Sequence, residues 1–212
     1  MVGFKVFIDS NIVVDWLLIR RVGFRRKVRR GLLQKRLEKM YDSYLLVQGV
    51  LNQQYPDVTF ITSILAINEV FHAIHEEQLY KKLYLEGAPF VTWPRYRDSV
   101  ELGEEEESEL LDYVLDNIND LFKEDLIKLV DDHNDDLELC AYITVKFRLR
   151  TQDAILVATA LQENCNYFTT RDTDLLDGVQ RRRSEPWQEL LNKLRSSLRF
   201  VTPKELLTRL TK

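Results

Sequence analysis

The stretch Phe4-Lys-Val-Phe-Ile8-Asp9-Ser-Asn11-Ile-Val-Val-Asp-Trp16-Leu17 changes its periodicity at a single acid. Before Asp9, an apolar run with β-branched members reads as a short buried strand. After it, Ile12, Val13, Trp16 and Leu17 recur at helical spacing. A buried strand that stops at an acid and turns straight into a helix is the repeating unit of an alternating α/β chain. The step recurs downstream, where Val58 to Thr62 reads as a second strand and Ser63 is placed to cap a helix through Ile64, Ile67, Val70, Phe71 and Ile74.

Between these two units, Gly31 to Val50 carries helical spacing through Leu33, Leu37, Met40, Tyr44 and Val47, and Tyr55-Pro56-Asp57 ends it. Gly87 to Pro94 is turn-rich. Glu104 to Val130 reads as one or two helices on Leu110, Val114, Ile118, Leu121, Leu126 and Leu129. Leu137, Cys140, Ala141, Thr144 and Phe147 form another helical stripe. Thr151 is an N-cap candidate for a helix Gln152 to Glu163, and Tyr167 to Thr170 reads as a strand. After a polar bridge, Phe200-Val201 reads as a short last strand. Thr202-Pro203-Lys204-Glu205 then has a capping hydroxyl, a proline at the first helical position and a glutamate at the third, so a final helix follows. Strands alternating with helices predict an α/β fold, a parallel sheet with helices on both faces. The expected organisation is a single domain over 1–212 with two mainly helical insertions, at approximately 20–54 and 79–136.

At 212 residues, 45% of them apolar, the chain is ample for one buried core. Its longest apolar runs fall far short of the roughly 20 residues that cross a bilayer, so no membrane span is expected. No secretion signal is visible at the N-terminus. Cys140 and Cys165 are the two cysteines and read as reduced buried thiols, which makes the cytoplasm the expected location. The net charge of −4 conceals an asymmetry: Arg20 to Lys39 holds ten Lys or Arg against Glu38, while Asp98 to Glu138 holds seventeen acids against Lys123 and Lys128. Separate basic and acidic blocks let one surface meet a polyanion while another repels it.

In an open parallel sheet, ligands gather outside the carboxyl ends of the strands. Acids recur at those places here. Asp9 ends the first strand, Glu69 lies two turns into the helix after the second, Asp153 is in the first turn of its helix, and Asp172 follows the Tyr167 strand. Carboxylates gathered in a small volume raise one another's pKa unless a cation neutralises them, and a hard divalent cation suits them. Neither a P-loop glycine pattern nor cysteines at zinc spacing accompany them.

Four segments carry a family resemblance: Val6-Phe-Ile-Asp9-Ser-Asn11; Ser63-Ile-Leu-Ala-Ile-Asn-Glu69-Val; Arg150-Thr-Gln-Asp153-Ala-Ile-Leu-Val-Ala-Thr-Ala160; and Tyr167-Phe-Thr-Thr-Arg-Asp172-Thr-Asp174-Leu. In this order the chain resembles a PIN-domain nuclease, similar to the toxin ribonucleases of toxin–antitoxin pairs. The resemblance covers roughly 3–18, 57–76 and 137–210 and leaves the two insertions unmatched. It implies a metal-dependent endoribonuclease in which Asp9, Glu69, Asp153 and Asp172 are catalytic and bind Mg²⁺ or Mn²⁺, with Asn11 and Thr170 in the pocket. Asp174 competes with Asp172 for one position, and Asp172 is favoured because it comes sooner after Thr169-Thr170. The candidate partners are an RNA substrate, an antitoxin protein and a second copy of the chain. Within the basic insertion, Arg25, Arg26, Arg29 and Arg30 are candidate contacts to RNA phosphates, or else a patch that pairs with acidic surface. His72 shares a helix with Glu69 and reads as a partly buried structural residue. The alternative function is a catalytically inactive PIN-like protein that binds RNA or protein. A phosphatase reading fails because Asp9-Ser-Asn11 lacks a second Asp two residues on.

Overall fold

The strand expected before Asp9 is β1 (Phe4–Ile8), and α1 (Ser10–Val22) follows it directly. The computed structural model describes residues 3–22, 32–89, 92–96, 99–131 and 136–211. After α1 come α2 (Leu32–Leu51), β2 (Val58–Ser63), α3 (Ile64–Leu85), the single turn α4 (Trp93–Tyr96) and α5 (Glu104–Phe122). A 3-10 turn over Lys123–Asp125 leads into β3 (Lys128–Val130), and α6 (Leu137–Phe147) and α7 (Thr151–Gln162) precede β4 (Tyr167–Thr169). A π-helical segment Asp174–Val179, α8 (Ser184–Leu194), β5 (Arg199–Val201) and α9 (Pro203–Leu210) complete the described chain.

The strands form one five-stranded sheet, parallel throughout, in the order β3-β2-β1-β4-β5. The chain winds from the central β1 outward to β3 on one side, then crosses to β4 and β5 on the other. Phe7 therefore sits between Ile61 of β2 and Phe168 of β4.

Alternation along each strand sends side chains to opposite faces, and both faces are covered. Val6, Ile8 and Phe60 pack with Ile12, Trp16 and Leu17 of α1, Leu46 and Val50 of α2, Val70 and Ile74 of α3, Leu110, Val114 and Ile118 of α5, and Leu206 of α9. Phe7, Ile61, Phe168 and Phe200 pack with Ile143 and Phe147 of α6, Val157 and Leu161 of α7, and Trp187 of α8. On that second face the rings run on from strand to strand: Phe7 stacks on Phe168 at 4.9 Å, Phe168 meets Phe200 edge-on at 5.6 Å, and Trp187 lies 5.1 Å from Phe200. The expected α/β class with helices on both faces is what the chain adopts.

The helix starts follow local chemistry. The Ser63 hydroxyl accepts from the Ala66 N–H at 3.2 Å. At α9 the Thr202 hydroxyl accepts from the Glu205 N–H at 3.2 Å while Glu205 Oε2 accepts from the Thr202 N–H at 2.8 Å, the reciprocal cap expected from sequence. The acidic run at α5 starts its helix: Glu106 accepts from the Gly103 N–H at 3.0 Å and pairs with Lys82 at 3.2 Å.

Several expectations are corrected. The helical reading of Glu104 to Val130 ends at Phe122, where Glu124 and Asp125 take positive φ and turn the chain into β3. The second insertion therefore supplies a strand of the sheet, and α2 and α5 supply core residues. Thr151 is the first residue of α7 rather than its cap; Arg150 takes that place with no side-chain cap bond. The polar bridge holds α8, whose buried side is Trp187, Leu190 and Leu191. His72 is exposed, 3.4 Å from Glu76, because the buried side of α3 runs through Ala66, Ile67, Val70 and Ile74. Both cysteines are buried thiols.

Candidate functional site

The strand order reverses direction between β1 and β4, and a parallel sheet opens a crevice beyond the strand ends at such a point. Asp9 leaves β1 there with its N–H bound to the Thr169 carbonyl at 3.2 Å. Thr62 of β2 fixes the last carbonyl of β1 from the other side, its hydroxyl donating to the Ile8 oxygen at 3.0 Å. The Asp9 side chain is buried, with 5% of its surface exposed. Its Oδ2 accepts from Asn11 Nδ2 at 2.6 Å and from the Thr170 hydroxyl at 2.5 Å. Its Oδ1 has the longer contact to the Ser10 hydroxyl, 3.4 Å.

Thr170 is the centre of this network. While its hydroxyl donates to Asp9, it accepts from Asn11 Nδ2 at 3.0 Å and from the Asp172 N–H at 2.9 Å. Asn11 is oriented by the Arg171 N–H, which donates to Asn11 Oδ1 at 3.2 Å. Both expected pocket residues thus tie the end of β1 to the turn after β4.

Burial pushes the Asp9 carboxyl up to about 7, against the lowering effect of the Thr170 hydrogen bond, and repulsion from Glu69 and Asp153 adds to the rise. Burial likewise pushes Asp153 up to about 6, helped by Asp172 and Glu69, opposed by Arg150, and raised further by Asp174. Four acids that lie far apart in sequence therefore act on one another: Asp9 with Glu69 and Asp153, and Asp153 with Asp172. Asp172 is half-buried and Asp174 exposed. The Asp174 N–H donates to Asp172 Oδ1 at 2.6 Å, so the Asp172 carboxylate caps the turn that follows it. Among the described residues, no three His, Cys, Asp or Glu side chains converge closely enough to hold a metal ion as they stand.

No family model matches the chain. A protein of Archaeoglobus fulgidus, described as an uncharacterized protein, is 30% identical over 89 residues, 42% of this chain and 73% of that one. The two chains belong to one family. That kinship carries no activity from one to the other, and the chemistry rests on the crevice itself.

Sequence reading missed three residues that support the crevice. Asp15 lies within the buried stripe of α1 and is 1% exposed. Its Oδ2 takes Arg171 Nε at 2.6 Å and the Ser43 hydroxyl of α2 at 2.7 Å. An acid among Ile12, Val13, Trp16 and Leu17 is itself a signal of a buried, paired carboxylate; nothing local marks Ser43 or Arg171 as its partners. Arg25, Arg26, Arg29 and Arg30 lie outside the described residues. At the start of the basic block, the Arg20 guanidinium lies over the Trp16 ring at 5.3 Å and that of Arg21 over Tyr113 of α5 at 5.4 Å. None of the described helices is long and apolar enough to cross a membrane.

Proposed function

We propose that this chain is a metal-dependent endoribonuclease of the PIN type. The observation that carries the proposal is the coupled set Asp9, Glu69, Asp153 and Asp172 at the strand ends, two of whose carboxyls sit well above the ordinary carboxylate range. Such a set is costly to the fold and is relieved by a cation. Its donors are all carboxylate oxygens, the ligand chemistry of Mg²⁺ and Mn²⁺.

In this reading Asp9, Asp153 and Asp172 hold the ion, and Glu69 joins them directly or through a water. When bound, the cation supplies a water of lowered pKa and neutralises charge developing on the leaving oxygen. The protein's own part is positional. Asn11 and Thr170 engage Asp9 Oδ2, which fixes the carboxylate, while Oδ1 has only the longer contact to the Ser10 hydroxyl. The α7 backbone carries Asp153, and the turn Thr170–Asp172 carries its counterpart across the crevice. RNA as substrate and a toxin's role rest on the family resemblance, and the basic insertion is the proposed track for RNA phosphates.

Incubating a labelled RNA with the purified protein tests the proposal. Cleavage at internal positions is expected with millimolar Mn²⁺, none in EDTA, and none from Asp153→Asn. Cleavage that survives EDTA or the Asp153 substitution would assign the activity to something other than these carboxylates. RNA binding with no cleavage under any metal would favour a binding module on the same fold.

A further inference from the structure

Arg171 is attached to α1 at two points four residues apart, which places both on one side of that helix. Its backbone N–H donates to Asn11 Oδ1 at 3.2 Å, and its Nε meets Asp15 Oδ2 at 2.6 Å. Asp15 is buried at 1% exposure, and a buried carboxylate is tolerated when a cation and hydrogen bonds answer it. Ser43, fully buried on α2, gives that same oxygen a second bond at 2.7 Å. The neighbours of Arg171 in the chain are Thr170, which binds Asp9, and Asp172, which acts on Asp153. Fixing residue 171 on both its amide and its side chain fixes where the turn delivers Asp172.

We propose that Arg171 is a positioning residue, locked by the buried Asp15–Ser43 pair, that sets Asp172 against Asp9 and Asp153. Through Ser43 the inserted helix α2 takes part in the site. The inference rests on the metal reading above. It explains why a carboxylate stands inside the α1–α2 packing, answered by an arginine from the turn after β4, where an apolar side chain of similar volume would serve stability as well or better. Outer partners that orient metal ligands change metal affinity by roughly 10- to 100-fold when removed.

The test is Mn²⁺ titration by calorimetry, with a thermal melt of each protein. Replacing Arg171 alone would strand the buried Asp15 charge, so the informative protein is the double variant Asp15→Asn/Arg171→Met, which removes both charges together. It is expected to melt within a few degrees of the wild type and to bind Mn²⁺ roughly 10- to 100-fold more weakly. Wild-type affinity in a well-folded double variant would overturn the inference and leave the metal reading intact. Should the double variant fail to fold, Ser43→Ala decides, because it keeps the ion pair and removes one bond to Asp15. A several-fold weaker affinity at an unchanged melting temperature supports positioning, and unchanged affinity overturns it. A wild type that binds no Mn²⁺ overturns the metal reading, and this inference with it.

Discussion

Asp9→Asn is expected to make the metal-free protein more stable and to abolish RNA cleavage. Asp9 is buried with Glu69 and Asp153 acting on it, and holding it ionised costs the fold the difference between a carboxyl at about 7 and one at its ordinary 3.8. At about 1.4 kcal/mol per unit this is on the order of 4 kcal/mol at most, present once the pH exceeds about 7. Asparagine offers an amide oxygen to the same donors, Asn11 and Thr170, without the charge. For a chain of this size the gain corresponds to a melting temperature higher by up to roughly 8–16 °C at pH 8. At pH 4 the two proteins should melt together, because the wild-type carboxyl is then protonated in the folded state. Cleavage should fall by more than about 100-fold, since the loss is of a ligand and not of an outer partner. An Asp9→Asn protein less stable than the wild type at pH 8 would mean that the protein's own groups already compensate this charge.

The second large effect is the pH dependence of stability with and without metal. Asp9 and Asp153 have raised folded-state pKa values, about 7 and about 6, so between about pH 4 and these values the folded protein holds protons that the unfolded chain has released. Stability from these two groups is thus fully present below about pH 4 and is lost as the pH rises through 6 and 7. Glu106, which accepts from the Gly103 N–H and pairs with Lys82, is held below the ordinary range and contributes with the opposite sign, its share being lost on acidification. The metal-free melting temperature should therefore fall between pH 5 and pH 8. Millimolar Mn²⁺, which binds ionised carboxylates in the folded state, should raise the curve most at pH 8 and little at pH 5. A melting temperature that Mn²⁺ leaves unmoved at pH 8 would identify the acids as a metal-free structural cluster.

Much of the fold was legible because its signals are local. The apolar run to Asp9, the cap at Ser63 and the reciprocal cap of Thr202 and Glu205 each specify an element within a few residues. β3 was not legible. It is only Lys128–Val130, at the sheet's edge, and Leu126 and Leu129 continue the helical spacing of α5 up to it. The turn that ends α5 depends on positive φ at Glu124 and Asp125, residues that give no such signal. α8 was passed over because polar residues surround it, although Trp187 is among its core anchors.

The crevice divides in the same way. Asp9, Asn11, Thr170 and Asp172 stand at strand ends, where the α/β pattern itself points, and their hydrogen bonds follow from the neighbouring of β1 and β4. Asp172 and Asp174 differ in one amide bond and in burial, neither of which is written in the spacing. Asp15, Ser43 and Arg171 meet only because α1 and α2 pack together beside the turn after β4, a tertiary fact without a sequence signature.

The most direct measurement is the binding of Mn²⁺ at pH 8, by calorimetry, to the wild type and to Asp153→Asn. Asp153 is the acid on which Asp172, Glu69 and Asp174 all act, so its charge is central to any ion held there. Saturable binding by the wild type and binding weaker by an order of magnitude or more in the variant is the predicted result; equal affinity in the two proteins, or none in either, would contradict it.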